Sequence, residues 1–220
     1  FYNCTIMEEI TAPGVVEIGD EAFYGCGSLM ETDIFTSVEV LGDSAFYGCT
    51  NLTEVVLPET LSSMGESCFE NCTILKRVVI DGTINGISRY CFYGCRTLSE
   101  VVFQDSLAKS SSIKGIGVRA FGNCTSLERL DLSAQSGLEV MGARTFEGCV
   151  NLTNIKLPEN LQQIPDYCFE GCDALSIVQL GGDAVVELGD RVFGEKDELP
   201  QFLHIWVKKE MLSQYQDAYQ

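Results

Sequence analysis

The segment EAFYGC, residues 21–26, returns as SAFYGC at 44–49, SCFENC at 67–72 and YCFYGC at 90–95, then as RAFGNC at 119–124, RTFEGC at 144–149 and YCFEGC at 167–172. Its phenylalanines, extended to both ends, are Phe1, Phe23, Phe46, Phe69, Phe92, Phe121, Phe146, Phe169 and Phe193, spaced by 22, 23, 23, 23, 29, 25, 23 and 24 residues. A recurring period in this range is the signature of a solenoid, a propeller or an array, so the repeat decides the architecture before domain counting from length does. It runs without a linker from the first residue to about Phe193. The expectation is one elongated domain over 1–199, closed by a strand and helix over 200–220.

Aligned on the phenylalanine, the repeats share further columns. Leu29, Leu52, Leu75, Leu98, Leu127, Leu152 and Leu175 come third after a cysteine. Further on, pairs such as Val55/Leu57, Val78/Ile80, Ile155/Leu157 and Val178/Leu180 alternate with polar residues at period two, the mark of a short half-buried strand. The pair Thr32/Ile34 and its neighbour Asp33 fall in the same columns. Equivalent strands stack in parallel at about 4.8 Å, which gives eight units a body on the order of 40 Å long. A single unit cannot bury its apolar face, whereas stacked copies share one core.

A second apolar pair follows each turn, ending at Ile18, Leu41, Met64, Ile87, Ile116, Met141, Ile164 and Leu188. Glycine comes next in most copies, suiting a corner at positive φ, although Ser88 and Pro165 replace it. The stretch through the phenylalanine is expected to be a short helical or 3₁₀ turn. Each ring should plug the core, contributing about 1.5–3 kcal/mol through burial.

The net charge of −18 disfavours nucleic acid, which requires a basic stripe, and an anionic membrane surface. No run of 18 apolar residues exists to span a bilayer. The chain opens inside a repeat and without a signal peptide, which reads as a fragment of something longer. Eight of the eleven cysteines stand third after a phenylalanine; Cys68, Cys91 and Cys168 stand just before one, where other units carry Ala, Thr or Val. That exchange describes small buried free thiols. One or more disulfides is the alternative, and the odd count leaves at least one thiol unpaired.

The segments CTNLTEVVLPETLSSMGESCFENC (49–72) and CVNLTNIKLPENLQQIPDYCFEGC (149–172) resemble the BspA-type, or Treponema-type, leucine-rich repeat. The resemblance covers nearly the whole repeat region. It departs from the pattern where Leu-Pro is kept only at Pro58 and Pro158, where QDSLAKSSSIKG is inserted after Phe103, and where Lys196 stands for a cysteine. It implies an α/β fold: a right-handed leucine-rich-repeat solenoid of about eight repeats of 22–29 residues, with parallel strands, short helical or 3₁₀ turns and a C-terminal cap. It further implies a secreted or surface-anchored bacterial protein at an extracellular location. The implied partner is a protein, with host extracellular-matrix or surface proteins among the ligands of some relatives. The segment 203–220 is similar to a closing strand and helix, with Trp206 and Tyr215 as lid residues over the last open edge.

Groups for chemistry are sparse. The only histidine, His204, lies in the cap region, and the cysteines belong to a packed ladder, so no nucleophile–histidine–acid set assembles. The acids follow no calcium-loop spacing. The glycines are repeat corners rather than a phosphate cradle. No cofactor or metal is expected, and no enzyme. The tripeptides Asn-Cys-Thr and Asn-Leu-Thr match the glycosylation sequon but arise from a turn's preferences.

What remains is surface. Outward positions on three adjacent strands carry Val56, Val79 and Val102, flanked by Glu54, Arg77 and Glu100. This reads equally as an apolar binding stripe rimmed by charge or as the β-propensity of valine. A secondary candidate is the row Tyr24, Tyr47 and Tyr93, interrupted by Glu70, which reads as packing between turns or as an interface. The resulting expectation is a recognition or adhesion module using its strand-bearing face; the competing one is a spacer with no ligand of its own. The oligomeric state is left open.

Overall fold

The computed structural model describes residues 1–32, 35–81, 84–104, 113–195, 200 and 202–218. The chain winds into a parallel-strand β-solenoid of about seven turns, close to the eight expected. One strand column comprises Glu9–Ile10 (β1), Glu31–Thr32 (β3), Glu54–Leu57 (β5), Arg77–Asp81 (β7), Glu100–Gln104 (β9), Arg129–Asp131 (β11), Asn154–Leu157 (β13), Ile177–Leu180 (β15) and His204–Trp206 (β17). The second comprises two-residue strands: Glu17–Ile18 (β2), Val40–Leu41 (β4), Ser63–Met64 (β6), Gly86–Ile87 (β8), Gly115–Ile116 (β10), Val140–Met141 (β12), Gln163–Ile164 (β14) and Glu187–Leu188 (β16).

Pairing in the first column runs β5-β7-β9 and β11-β13-β15-β17, with equivalent residues of successive units opposite one another, as in Val55↔Val78↔Val101. The second column pairs β8-β10-β12 straight across the insertion. Residues 105–112, the body of that insertion, lie outside the described residues, as do Asp33, Ile34 and Lys196 and the expected boundary at 199.

The phenylalanines form one ladder. Centroids of successive rings from Phe1 to Phe193 are 5.0–5.7 Å apart, with planes within 5–15° of parallel. The step across the insertion, Phe92 to Phe121, is an ordinary 5.5 Å. Phe46 to Phe169 are fully buried, as are the leucines third after each cysteine. Only Phe1, on the first coil, is open, at 65% exposure.

All eleven cysteines are free thiols, and ten are buried. Each ladder thiol donates to the carbonyl of the ruler phenylalanine one coil earlier: Cys49 to Phe23, Cys72 to Phe46, Cys95 to Phe69 and Cys124 to Phe92, at 3.1–3.2 Å. Cysteine is therefore favoured here for its donor as well as its size, which small-residue exchange at the other thiol column had not revealed.

Two local expectations are corrected. The stretch through each phenylalanine is a run of turns, not a helix; among the described residues helix is confined to Phe35–Ser37, Lys209–Met211 and Leu212–Ala218 (α1). The N–H groups two before, at and two after the phenylalanine all donate to the next coil, as Ser44 to Glu66, Phe46 to Cys68 and Gly48 to Glu70 at 2.7–2.8 Å. Donors committed between coils cannot close helical turns within one.

The second correction concerns the corner glycines. Left-handed φ occurs two before the phenylalanine, at non-glycine residues such as Ser67 (54°), Arg144 (61°) and Tyr167 (56°), and two after it, at Gly48 (67°) or Asn71 (59°). The glycine that follows the second strand serves close approach instead. A Cβ on Gly142 would lie 2.3 Å from the Val118 nitrogen of the preceding coil, and one on Gly65 would lie 2.3 Å from the Gly42 carbonyl carbon. Gly19, in the same column of the first complete coil, meets nothing within 4 Å.

At the C-terminal end β17 pairs with β15, Ile205 opposite Val178. Met211 is buried, Tyr215 packs on the core, and the Val186 N–H donates to the Tyr215 hydroxyl at 2.9 Å. Tyr215 thus acts as a lid. Trp206 does not: it is 57% exposed, because β17 is the last strand of its sheet and nothing among the described residues covers it, so that all three of its residues are exposed.

Candidate protein-binding face

The first strand column brings the primary candidates together in register. Glu54 stands opposite Arg77 and Arg77 opposite Glu100, while Val56, Val79 and Val102 line up in the same order. Period-two alternation turns Val55, Val78 and Leu57 inward and leaves the candidates on the other face of the sheet.

The charged half of the group is a closed triad. Arg77 Nη1 pairs with Glu54 Oε1, and Arg77 Nε with Glu100 Oε2 at 3.1 Å. Hydrogen bonding to Glu54, with Glu100 adding its charge, holds the Arg77 guanidinium above its ordinary pKa. The triad is solvent-facing, so its structural worth is small and its effect is to fix the direction of three side chains.

The apolar half is uneven. Val56 is 51% exposed and Val102 is half-buried, whereas Val79 is only 3% exposed and belongs to no part of the main core. A central valine flanked in register by two others loses nearly all its accessible surface. The stripe expected from the sequence is therefore corrected at its middle: Val79 packs as a support, and the accessible apolar positions are Val56 and Val102.

The secondary candidates form a different arrangement, on the turn segment away from the strands. Tyr24 and Tyr47 stack at 4.6 Å with planes 3° apart. Tyr2, which the sequence reading passed over although it too follows a ruler phenylalanine, extends the stack at 5.0 Å. Tyr93 is separated from it by Glu70, and its hydroxyl accepts from Asn123 Nδ2 at 2.8 Å, as the Tyr47 hydroxyl accepts from Asn71 Nδ2 at 3.0 Å.

Elsewhere the surface offers little for catalysis. A groove of 710 Å³ beside β14 and β16 is lined by Glu159, Asn160, Gln163, Asp183 and Glu187, which supply carboxylates and amides without a nucleophile. Burial drives the Cys49 and Cys149 thiols up to about 12, away from reactivity near neutral pH. No group of potential metal ligands gathers among the described residues. No helix among them is long and apolar enough to cross a membrane.

Known proteins bear on this architecture. A leucine rich repeat protein of T. pallidum superposes with a TM-score of 0.58 at 27% identity, covering 94% of this chain and 82% of its own. A leucine-rich repeat protein of Eubacterium ventriosum gives 0.56 at 25% identity, covering 86% of this chain and 42% of its own. A leucine rich cell surface protein of Faecalibacterium prausnitzii is more distant, with a TM-score of 0.42 at 19% identity, covering 97% of this chain and 76% of its own. Among curated proteins none matches. The family model for the BspA type leucine rich repeat region matches six copies, over residues 1–112 and 104–205. With its ruler ladder and strand columns repeating over the same span, this chain belongs to the BspA-type leucine-rich repeat family.

Proposed function

We propose that the protein is a non-enzymatic recognition or adhesion module of a secreted or surface-anchored bacterial protein, and that it captures a protein partner through its first strand column. The family's fold is typical of bacterial surface proteins and of protein-interaction modules, and is generally non-enzymatic. The observation that carries the reading is the face around β5, β7 and β9, where exposed Val56 and half-buried Val102 rest on the buried Val79 beside the Glu54–Arg77–Glu100 triad. Apolar surface on rigid strands, rimmed by oriented charge, suits a protein partner. An extracellular-matrix or host-surface protein is the class that the family resemblance favours.

The test is capture of purified extracellular-matrix proteins by the immobilised solenoid. Val56→Asp combined with Val102→Ser should lower capture at least tenfold while thermal unfolding stays nearly unchanged. Undiminished capture by that variant rejects this face. No capture by the unaltered protein favours the spacer reading instead.

A further inference from the structure

One residue position of the solenoid is filled in two ways, and the difference points to a ligand. In the C-terminal half, Arg144 stands two before its ruler phenylalanine. Its Nη1 pairs with Glu147, three residues on, and with Glu170 of the next coil, both at 2.6 Å. Its Cζ lies 4.2 Å from the ring centroid of Tyr167, also of the next coil. Arg119 reaches Glu147 from the coil before, at 2.6 Å. Each carboxylate in that row is thus held by arginine, and the arginine is seated on a tyrosine face.

Three coils earlier the same framework recurs without an arginine at the Arg144 position; the cation over the Tyr90 ring is Arg89 of the same coil, its Cζ 5.7 Å from the centroid and its Nε paired with Glu66 at 3.3 Å. Glu70 occupies the place of Glu147, and Tyr90 the place of Tyr167, with the same left-handed backbone, φ 55° against 56°. Ser67 stands where Arg144 stands, at φ 54°. On the far side of Tyr90, Arg119 takes the position that Arg191 takes beside Tyr167. Tyr93 packs edge-on against Tyr90 at 5.6 Å, and the Tyr2–Tyr24–Tyr47 stack leads up to Glu70 from the other direction. No lysine or arginine among the described residues lies within ion-pair distance of Glu70, whose Oε1 accepts from Asn71 Nδ2 at 3.5 Å. Burial raises the Glu70 carboxyl, opposed only by a hydrogen bond with Ser67.

The surroundings favour a cationic visitor. Residues 1–75 contain thirteen carboxylates and neither lysine nor arginine. Among the described residues of that part, ion pairs reach only Glu54 and Glu66, from Arg77 and Arg89. An approaching basic segment therefore meets an unneutralised field that draws it toward the N-terminal coils.

We propose that the tyrosine-flanked Glu70 is a receptor for an arginine side chain presented by a basic protein segment. The guanidinium lies on the Tyr90 face and pairs with Glu70, reproducing in trans what Arg144 does in cis at Tyr167 and Glu147. Arginine suits the site better than lysine, because a planar guanidinium both stacks on the ring and bonds the carboxylate. The tyrosine stack beside it offers a surface along which neighbouring residues of that segment pack. This site lies on the turn segments and is independent of the strand face.

The test uses the whole protein with an acetylated tetra-arginine peptide, and with tetra-lysine and tetra-glutamate as comparisons, read by calorimetry or fluorescence anisotropy. Tetra-arginine should bind best and tetra-glutamate not at all. Glu70→Gln should weaken tetra-arginine binding at least tenfold. Glu59→Gln removes the same charge from an exposed turn of the same acidic part and should change binding less than twofold. Ser67→Arg installs the guanidinium that Arg144 supplies, at a backbone angle arginine already adopts in this row; it should block the peptide and raise the unfolding temperature. Val56→Asp should bind the peptide normally, which separates this site from the strand face. Equal losses in the Glu59 and Glu70 variants, full binding by Ser67→Arg, or no binding by the unaltered protein overturn the proposal.

Discussion

The thiol of Cys72 donates to the carbonyl oxygen of Phe46 at 3.2 Å, across one coil and 26 positions of sequence. The same carbonyl accepts the Cys49 N–H at 3.2 Å within its own coil, so the thiol occupies its second lone pair. Cys72→Ala removes this bond and leaves a sulfur-sized space in a fully buried position, and should destabilise the protein by about 1–2 kcal/mol. Cys68→Ala, at a column where other coils carry alanine, should cost less. Denaturant unfolding of the two variants makes the comparison.

Thiol chemistry gives a second outcome. Ten cysteines are buried and Cys4 is half-buried. A thiol reagent at pH 8 should modify about one sulfur rapidly in the folded protein and all eleven after unfolding in guanidinium. Rapid modification of several sulfurs in the folded state would contradict the dry ladder.

Alkaline pH should unfold the protein more sharply than its acidic composition suggests. Burial holds Cys49 and Cys149 near 12 and others, such as Cys72 and Cys91, well above the ordinary value of 9.0. Above pH 9 the unfolded chain loses thiol protons that the folded chain keeps, so stability is full below that pH and falls through the range 9 to 12. Each such thiol removes about 1.4 kcal/mol per pH unit. Replacing Cys68, Cys91 and Cys168 by alanine together should flatten the alkaline limb of a stability–pH curve while leaving its acidic limb in place.

Glycines of a single column should differ by position. Gly142→Ala drives a Cβ into the backbone of the preceding coil and should cost about 1–3 kcal/mol or more. Gly19→Ala meets open space at ordinary φ and should be nearly neutral. Comparable losses in thermal unfolding at both would return the column to a backbone-angle explanation.

On the strand face, Val79→Ser puts a hydroxyl into a position 3% exposed and should cost about 1–3 kcal/mol. Val56→Asp, at half exposure, should stay within about 0.5 kcal/mol of the unaltered protein. Unfolding midpoints distinguish support from surface.

The ladder of phenylalanines, the two strand columns and the lid role of Tyr215 were legible because hydrophobic spacing reports directly which side chains turn inward. Less was legible where one residue type serves two physical ends. Glycine after the second strand read as suiting a corner at positive φ, though Ser88 and Pro165 showed that the corner is not obligatorily left-handed; the constraint comes from backbone of a neighbouring coil, which one unit's sequence does not display. Val79 read as outward and was; its burial depends on Val56 and Val102 standing beside it across 23 positions each way. The relation of Ser67 to Arg144 appears only after two coils are superposed, because neither residue is unusual in its own unit.

Because the bonds described here join each coil only to those before and after it, the scaffold has a mechanical character. Tension on the two chain ends peels coils singly from an exposed end instead of shearing a whole sheet at once, and every released 23-residue turn pays out on the order of 80 Å of slack.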